Sequence, residues 1–499
     1  MRIIQGGMGV GISHWRLARA VSRLGHLGVV SGTALDQVLA RRLQQGDPGG
    51  HVRRALEHFP APALAEQVWR AHYIAGGKTD TEAYHTLEMP SATPSGDWLV
   101  RVIVANFVEV YLAREGHDQP VGINYLEKIQ APHLASMFGA MLAGVDYVLM
   151  GAGIPLRVPG VLDHLARLEP VTYPLAVTGS PDGGGHLHFD PRAFIGAGTP
   201  PLRRPRFLAI VASDVLAQTL VRRASGHVDG FILEGPTAGG HNAPPRGALQ
   251  LDPRGEPVYG PRDVIALDKV KALGRPFWLA GGVGSADGLR RALAHGAEGI
   301  QVGTAFAMCS DSGLRNDLRR GLLASVLAGA TDVRTSPVAS PTGFPFKVAA
   351  LDGTLSAPAV IDGRPRICDL GYLREAYRTT DGSLAYRCRA EPVSLYVAKG
   401  GRAEHTMGRV CICNALMATA GFPQVRARHR IEPPIVTMGD DLPGILRFLP
   451  PGARDFSAAD VVRALTAPAP TRAPGTPSSP LASTGQEPTH GAHHPHDVA

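Results

Sequence analysis

Eight short apolar runs recur along the chain, each too short for a helix and each followed by a stretch with helical spacing. They are IIQG (3–6), LGVVSG (27–32), VGINYL (121–126), DYVLMG (146–151), RFLAIVAS (206–213), GFILEG (230–235), PFWLAGG (276–282) and GIQVGTAF (299–306). Runs that are apolar throughout, instead of alternating, mark strands covered on both faces, as in a parallel sheet flanked by helices. Eight of them with helical crossovers predict an α/β fold, a (β/α)8 TIM barrel. The spacers agree. After Ser13, read as an N-cap, Leu17, Val21 and Leu24 share one face and Gly25 closes the helix; Ser285 opens another, with Leu289, Ala292 and Leu293 before Gly296.

At 499 residues the chain exceeds what one core holds, about 250–300 residues, so a barrel over 1–349 with a smaller C-terminal unit is expected. Residues 34–119 are too long for one crossover and predict a helical insertion with a polar loop around 76–96. YPLAVTGS followed by the alternating HLHFD predicts a hairpin insertion at about 172–200. From residue 350 the βα rhythm stops, and 350–466 holds Cys368, Cys388, Cys411 and Cys413. Their spacing, C-x19-C, C-x22-C and C-x-C, lacks the usual C-x2-C knuckles, so buried free thiols are the reading here, with a four-thiolate zinc staple as the alternative. Residues 467–499, rich in Pro, Ser and His, predict a disordered tail, in which His490, His493, His494 and His496 reflect composition and not a metal site.

Charge and composition exclude several classes. The net charge of +7 is scattered as Arg among Ala, Gly and Pro, and its densest cluster, LRRPR (202–206), has no interleaved aromatics, which argues against nucleic acid. No run reaches the roughly 18 apolar residues of a membrane helix, and Met1 and Arg2 lead straight into the strand-like IIQGGM, without the charged stretch, apolar run and cleavage site of a leader. An odd count of five cysteines suits a reducing compartment, so a cytoplasmic protein is expected.

In such a barrel the loops at the C-terminal ends of the strands build the site, and those after strands seven and eight often hold phosphate. Gly281, Gly282 and Gly284 precede the helix at Ser285, and Gly303 and Thr304 follow GIQV, so the two loops together predict a phosphate cradle. After the sixth strand comes EGPTAGGH. Gly239 and Gly240 allow backbone to approach a flat ligand, and the His241 imidazole, titrating near neutrality, suits removal of a proton from carbon. Glu234 either orients this loop or pairs with an arginine.

IIQGGMG, EGPTAGGH and LAGGVGSADGLRRALAHGAEGIQVGTAF, in that order, resemble the nitronate monooxygenase family, formerly called 2-nitropropane dioxygenases, over about residues 1–350. The resemblance implies an FMN-binding barrel. Gly281, Gly282, Gln301, Gly303 and Thr304 would hold the FMN phosphate and ribityl chain, Gly6, Met8, Asn124, Gly239 and Gly240 would approach the ring, and His241 matches the catalytic histidine. It further implies proton removal from a nitroalkane, electron transfer from the nitronate to FMN and on to dioxygen, and release of a carbonyl compound and nitrite. The segments CDLGYLREAY, YRCRAEPVSLY and GRVCICNALMATAGFPQ resemble a longer subgroup related to flavin-dependent enoyl reductases of fatty-acid and polyunsaturated-lipid synthesis. That kinship keeps a second activity open, reduction of an enoyl thioester by NAD(P)H. Barrel dehydrogenases with a cysteine nucleophile after strand six do not fit, because Cys309 follows strand eight. A non-catalytic barrel scaffold is the remaining alternative, and for residues 350–466 a lid or a homodimer surface over the barrel mouth is the expectation.

Overall fold

Eight parallel strands form the centre of the computed structural model, which describes residues 1–180, 184–196 and 198–468. They are β1 (Ile3–Gln5), β2 (Gly28–Ser31), β3 (Val121–Leu126), β4 (Tyr147–Gly151), β5 (Arg206–Val211), β6 (Gly230–Glu234), β7 (Phe277–Ala280) and β8 (Gly299–Val302). The sheet runs β1-β8-β7-β6-β5-β4-β3-β2. A parallel bridge between Ile4 and Leu27 joins its two edges, with the Gln5 N–H donating to Leu27 O at 2.9 Å and the Leu27 N–H to Ile3 O at 3.1 Å. The chain is therefore a (β/α)8 barrel.

Strand alternation explains why the eight runs look uniformly apolar. Ile4, Val29, Leu149, Leu208, Ile232 and Trp278 point inward and form one buried cluster. Their neighbours Ile3, Val30, Val148, Phe207, Phe231, Phe277 and Ile300 point outward into the larger core beneath the helices. Each side chain of this size contributes about 1.5–3 kcal/mol by leaving water, whichever face it covers. The N-terminal end of the barrel is tied off by the Trp278 indole, which donates to Met1 O at 3.0 Å.

The first crossover helix, Trp15–Arg23, departs from expectation at its start. His14, not Ser13, is the N-cap, accepting from the Leu17 N–H at 3.4 Å. The Ser13 hydroxyl is already engaged, donating to Gly6 O at 2.8 Å and accepting from the Met8 N–H at 2.9 Å. Leu24 lies 42% exposed and is no part of the buried face. Ser285 does cap its helix, Ala286–Ala294, by accepting from the Gly288 N–H.

Between β2 and β3 stand the helices Leu35–Gln44, His51–Leu56, Pro62–His72 and Gly96–Arg114, while residues 73–95 form neither helix nor strand. Between β4 and β5, Val171–Leu175 pairs antiparallel with Gly185–Phe189. Two of the three arginines of LRRPR are ion-paired, Arg203 with Asp146 and Arg204 with Asp163 and Asp229, while Arg206 donates to the Tyr147 hydroxyl at 2.9 Å. After β8 a hairpin, Val333–Ser336 with Phe346–Ala349, leads into the C-terminal region. That region packs back onto the rest, its Ala376 and Tyr377 pairing with Val177 and Thr178, so that Met1–Ala467 is one compact unit.

All five cysteines are free thiols. Cys388 and Cys411 share a buried cluster with Ala390, and Cys413 packs against it. Burial, then the neighbouring Cys411, pushes the Cys368 thiol up to about 11. Among the described residues no group of three or more His, Cys, Asp or Glu side chains is arranged to hold a metal ion, and no helix is long and apolar enough to cross a membrane. From residue 469 on, the tail expected to be disordered, with its histidines, lies outside the described residues.

Candidate active site

The C-terminal ends of the strands open into one cavity. Gly6, Met8, Asn124, Gly239, Gly240, His241, Gly281, Gly282, Gln301, Gly303 and Thr304 all line it, so the loops after β1, β3, β6, β7 and β8 meet at a single place.

The loop after β1 lies flat against β3. A Cβ on Gly7 would stand 2.3 Å from the Cβ of Asn124, so only glycine permits this approach. Asn124 Nδ2 donates to Gly7 O at 3.2 Å, which leaves its buried Oδ1 without a partner. Gln301 Oε1 is likewise buried and unpartnered. Two orphaned amide oxygens lining one cavity call for a ligand that carries N–H or O–H donors.

Beside Gln301, whose register partner is Ala280, stands the glycine cradle. Gly281 and Gly282 have φ of +88° and +67°, and a Cβ on either would press on Thr237 Oγ1, at 3.1 and 3.0 Å. The backbone there turns toward the start of the Ser285-capped helix, a favourable place for an anion. A segment that sequence reasoning missed closes the cradle from above. Gly240 N–H donates to Thr437 Oγ1 at 2.8 Å, Asp440 N–H to Thr237 O at 3.1 Å and Gly439 N–H to Thr304 Oγ1 at 3.0 Å. Thr437, Met438, Gly439 and Asp441 line the cavity. The run IVTMG (435–439), three apolar residues and a threonine ending in a glycine, was the available signal.

Asp441 places a carboxyl beside the cradle. Its carboxyl would lie 3.0 Å from a Cβ on Gly284, and burial raises its pKa against the opposing pull of Thr304 and Arg447. A raised pKa widens the range of pH over which the acid is neutral, so its repulsion of an incoming anion is felt toward alkaline pH. Arg447 lies close by, donating to Gly284 O at 3.0 Å.

His241 is held from three sides. Its neighbours pair with the segment before Ala349: Lys347 N–H donates to Gly240 O and Asn242 N–H to Pro345 O, both at 2.9 Å. Phe346 packs edge-on, 4.8 Å between ring centres. Its Nε2 lies 2.7 Å from Ser340 Oγ, which lies 2.8 Å from Thr342 Oγ1. Burial, then the charge of Lys128, holds the imidazole well below its usual pKa, so it is neutral near pH 7. With the ring proton on Nε2, directed at Ser340, the Nδ1 lone pair is left for the cavity.

Lys128, two residues past β3, is the second residue that sequence reasoning missed; its place at the C-terminal end of a strand was the only signal. Its buried Nζ has no hydrogen-bond partner and lies 4.3 Å from the Phe344 ring centre. Burial lowers its pKa to about 7, against the pull of Glu127 and Glu234. Glu234, expected to meet an arginine or its own loop, faces this lysine, and burial raises its carboxyl to about 7. Cys309 is buried with its thiol pushed far up, so it supplies no nucleophile.

The family model for nitronate monooxygenase matches residues 206–337. Over 179 residues the chain is 30% identical to a nitronate monooxygenase of Pseudomonas aeruginosa, covering 34% of this chain and 46% of that one. It is 32% identical over 122 residues to (3aS,4S,5R,7aS)-5-hydroxy-7a-methyl-1-oxo-octahydro-1H-indene-4-carboxyl-CoA dehydrogenase of Mycobacterium tuberculosis, 24% of this chain and 31% of that one. The matches thus span less than half the length of these relatives. Among solved structures, a nitroalkane oxidase from Streptomyces ansochromogenes is 16% identical with a TM-score of 0.46, covering 93% of this chain and 94% of that one. The residues that carry β5 to β8, the His241 loop and both cradle loops are thus the ones that the nitronate monooxygenase family model matches.

Proposed function

We propose that the chain is an FMN-dependent oxidoreductase that oxidises nitronates, or the nitroalkanes they come from, to a carbonyl compound and nitrite. The observation that carries this reading is a buried imidazole, held by Ser340, on the same cavity as a glycine cradle and two orphaned amide oxygens. Gly281, Gly282, Gly303 and Thr304 would hold the phosphate; Gln301 and Asn124 would accept from the ribityl hydroxyls and the ring N–H. The bound FMN supplies the electron acceptor, reoxidised by dioxygen.

His241 takes the α-proton at Nδ1, and its neutrality keeps that lone pair available at pH 7. Phe346 and Ser340 fix the ring's orientation, so little ordering remains for the proton-transfer step. Lys128, near enough for its charge to act on His241, favours the carbanion over the neutral acid whenever it is protonated.

A second reading, reduction of an enoyl thioester by NAD(P)H, is favoured by a basic cavity beside the first, lined by Lys128, Arg374, Arg387 and Arg389, and by the similarity to a protein named for a carboxyl-CoA substrate. Anaerobic mixing separates the two. Bleaching of the flavin by a nitronate and not by NADH or NADPH is expected; bleaching by the nicotinamide alone replaces the first reading with the second.

A further inference from the structure

The basic cavity adjoins the first, and Ile129, Tyr372 and Leu373 line both. At about 440 Å³ it has room for several water molecules, and two of its wall residues, Ala176 and Thr178, are exposed. Thr342 lines this second cavity, whereas His241 lines the first. Between them stands Ser340, fully buried, 2.7 Å from His241 Nε2 and 2.8 Å from Thr342 Oγ1. Three proton-carrying groups thus cross the wall between the cavities at hydrogen-bond distance. An imidazole can accept a proton on one nitrogen and release one from the other, and a hydroxyl both donates and accepts.

We propose that Ser340 and Thr342 form a proton relay carrying the proton that His241 removes in the first cavity out to water in the second. The substrate C–H bond breaks, its electron pair stays on carbon, and the proton joins Nδ1. Nε2 gives its proton to Ser340 Oγ, Ser340 gives its own to Thr342 Oγ1, and Thr342 gives its own to a water in the second cavity. Each hydroxyl ends with one proton, as it began, and the imidazole ends neutral with its proton on Nδ1; exchange with water after product release restores the starting tautomer. The surrounding charges keep the proton from lodging on the way. Lys128, buried near His241, opposes a lasting second proton on the ring; in the second cavity Arg387 and Arg389 are offset by Glu375, while Lys128 and Arg374 leave the lining positive, so a proton released there does not rest in the cavity but passes on to bulk water.

The proton's source rests on the reading of His241 as the base, but the relay is measurable without turnover. In the full, flavin-loaded chain with labelled histidine, nuclear magnetic resonance reads solvent exchange of the His241 Nε2 proton. Thr342→Val, which removes only the hydroxyl, should slow that exchange about tenfold or more, while Thr342→Ser should stay within about twofold of the parent. Ser340→Ala breaks the path at its other member and should match Thr342→Val, which covers the case that either variant folds poorly. Exchange as fast in both broken variants as in the parent overturns the relay. In turnover, Thr342→Val should slow neutral nitroalkanes about tenfold, spare preformed nitronates and recover with small diffusible buffers. Should His241→Ala leave nitroalkane turnover intact, the assignment of the base fails, and the exchange measurement still decides the relay.

Discussion

Gly439 donates its backbone N–H to Thr304 Oγ1 at 3.0 Å, which makes the C-terminal region a wall of the cradle. A Cβ on Gly439 would meet Thr237 O and Thr304 Oγ1, each at 2.9 Å. Gly439→Ala should therefore displace this wall, lowering both the flavin content of the purified protein and its Tm. Flavin content equal to the parent's would show that the wall does not help to hold the cofactor.

Asp441 places a carboxyl where the cradle should attract an anion. Asp441→Asn keeps the shape and removes the charge, so FMN should bind about tenfold more tightly at pH 8, worth about 1.4 kcal/mol. Fluorescence titration of the flavin-stripped protein reads this directly, and weaker binding in the variant would instead make the carboxylate a favourable contact.

His241→Ala should leave the flavin spectrum unchanged and lower turnover of neutral nitroalkanes by about 10²–10⁴-fold, the usual worth of a general base. Preformed nitronates, which need no deprotonation, should lose much less. A stopped-flow comparison of the two substrates checks the difference.

Glu234 gives stability a definite dependence on pH. Burial raises its folded pKa from 4.5 to about 7. Between those values the folded state holds a proton that the unfolded state has released, so this residue's contribution falls as pH rises and is flat above the window. Glu234→Gln has no proton to lose. Its Tm relative to the parent should thus climb from pH 4.5 to 7 and then level off; a difference that does not change with pH would place Glu234 in ordinary solvent.

The barrel was legible because each strand carries its own evidence: Ile3 and Ile4, or Phe277 and Trp278, are apolar whichever way they face. The cradle glycines and His241 were legible for a related reason, since each follows its strand immediately and the fold sends all strand ends to one face. Lys128 gave no comparable signal, because what distinguishes it is its proximity to Glu234 and His241, brought about by folding alone. Ser340 and Thr342 sit in a loop with no period, and the segment around Gly439 is far from Thr304 in the chain. At Ser13 the local rule for helix starts lost to a neighbour, as Gly6 O and the Met8 N–H had already engaged its hydroxyl.

The roof over the cradle is also the last part of the site to be made. A ribosome finishes β6, β7 and β8 long before it reaches residues 436–441, yet Gly240, Thr237 and Thr304 wait for partners in that late segment. The nascent polypeptide therefore passes through a stage in which its cylinder can close while its mouth stands open, and premature termination after Val302 and before Thr437 would release a barrel with every strand and no complete binding chamber.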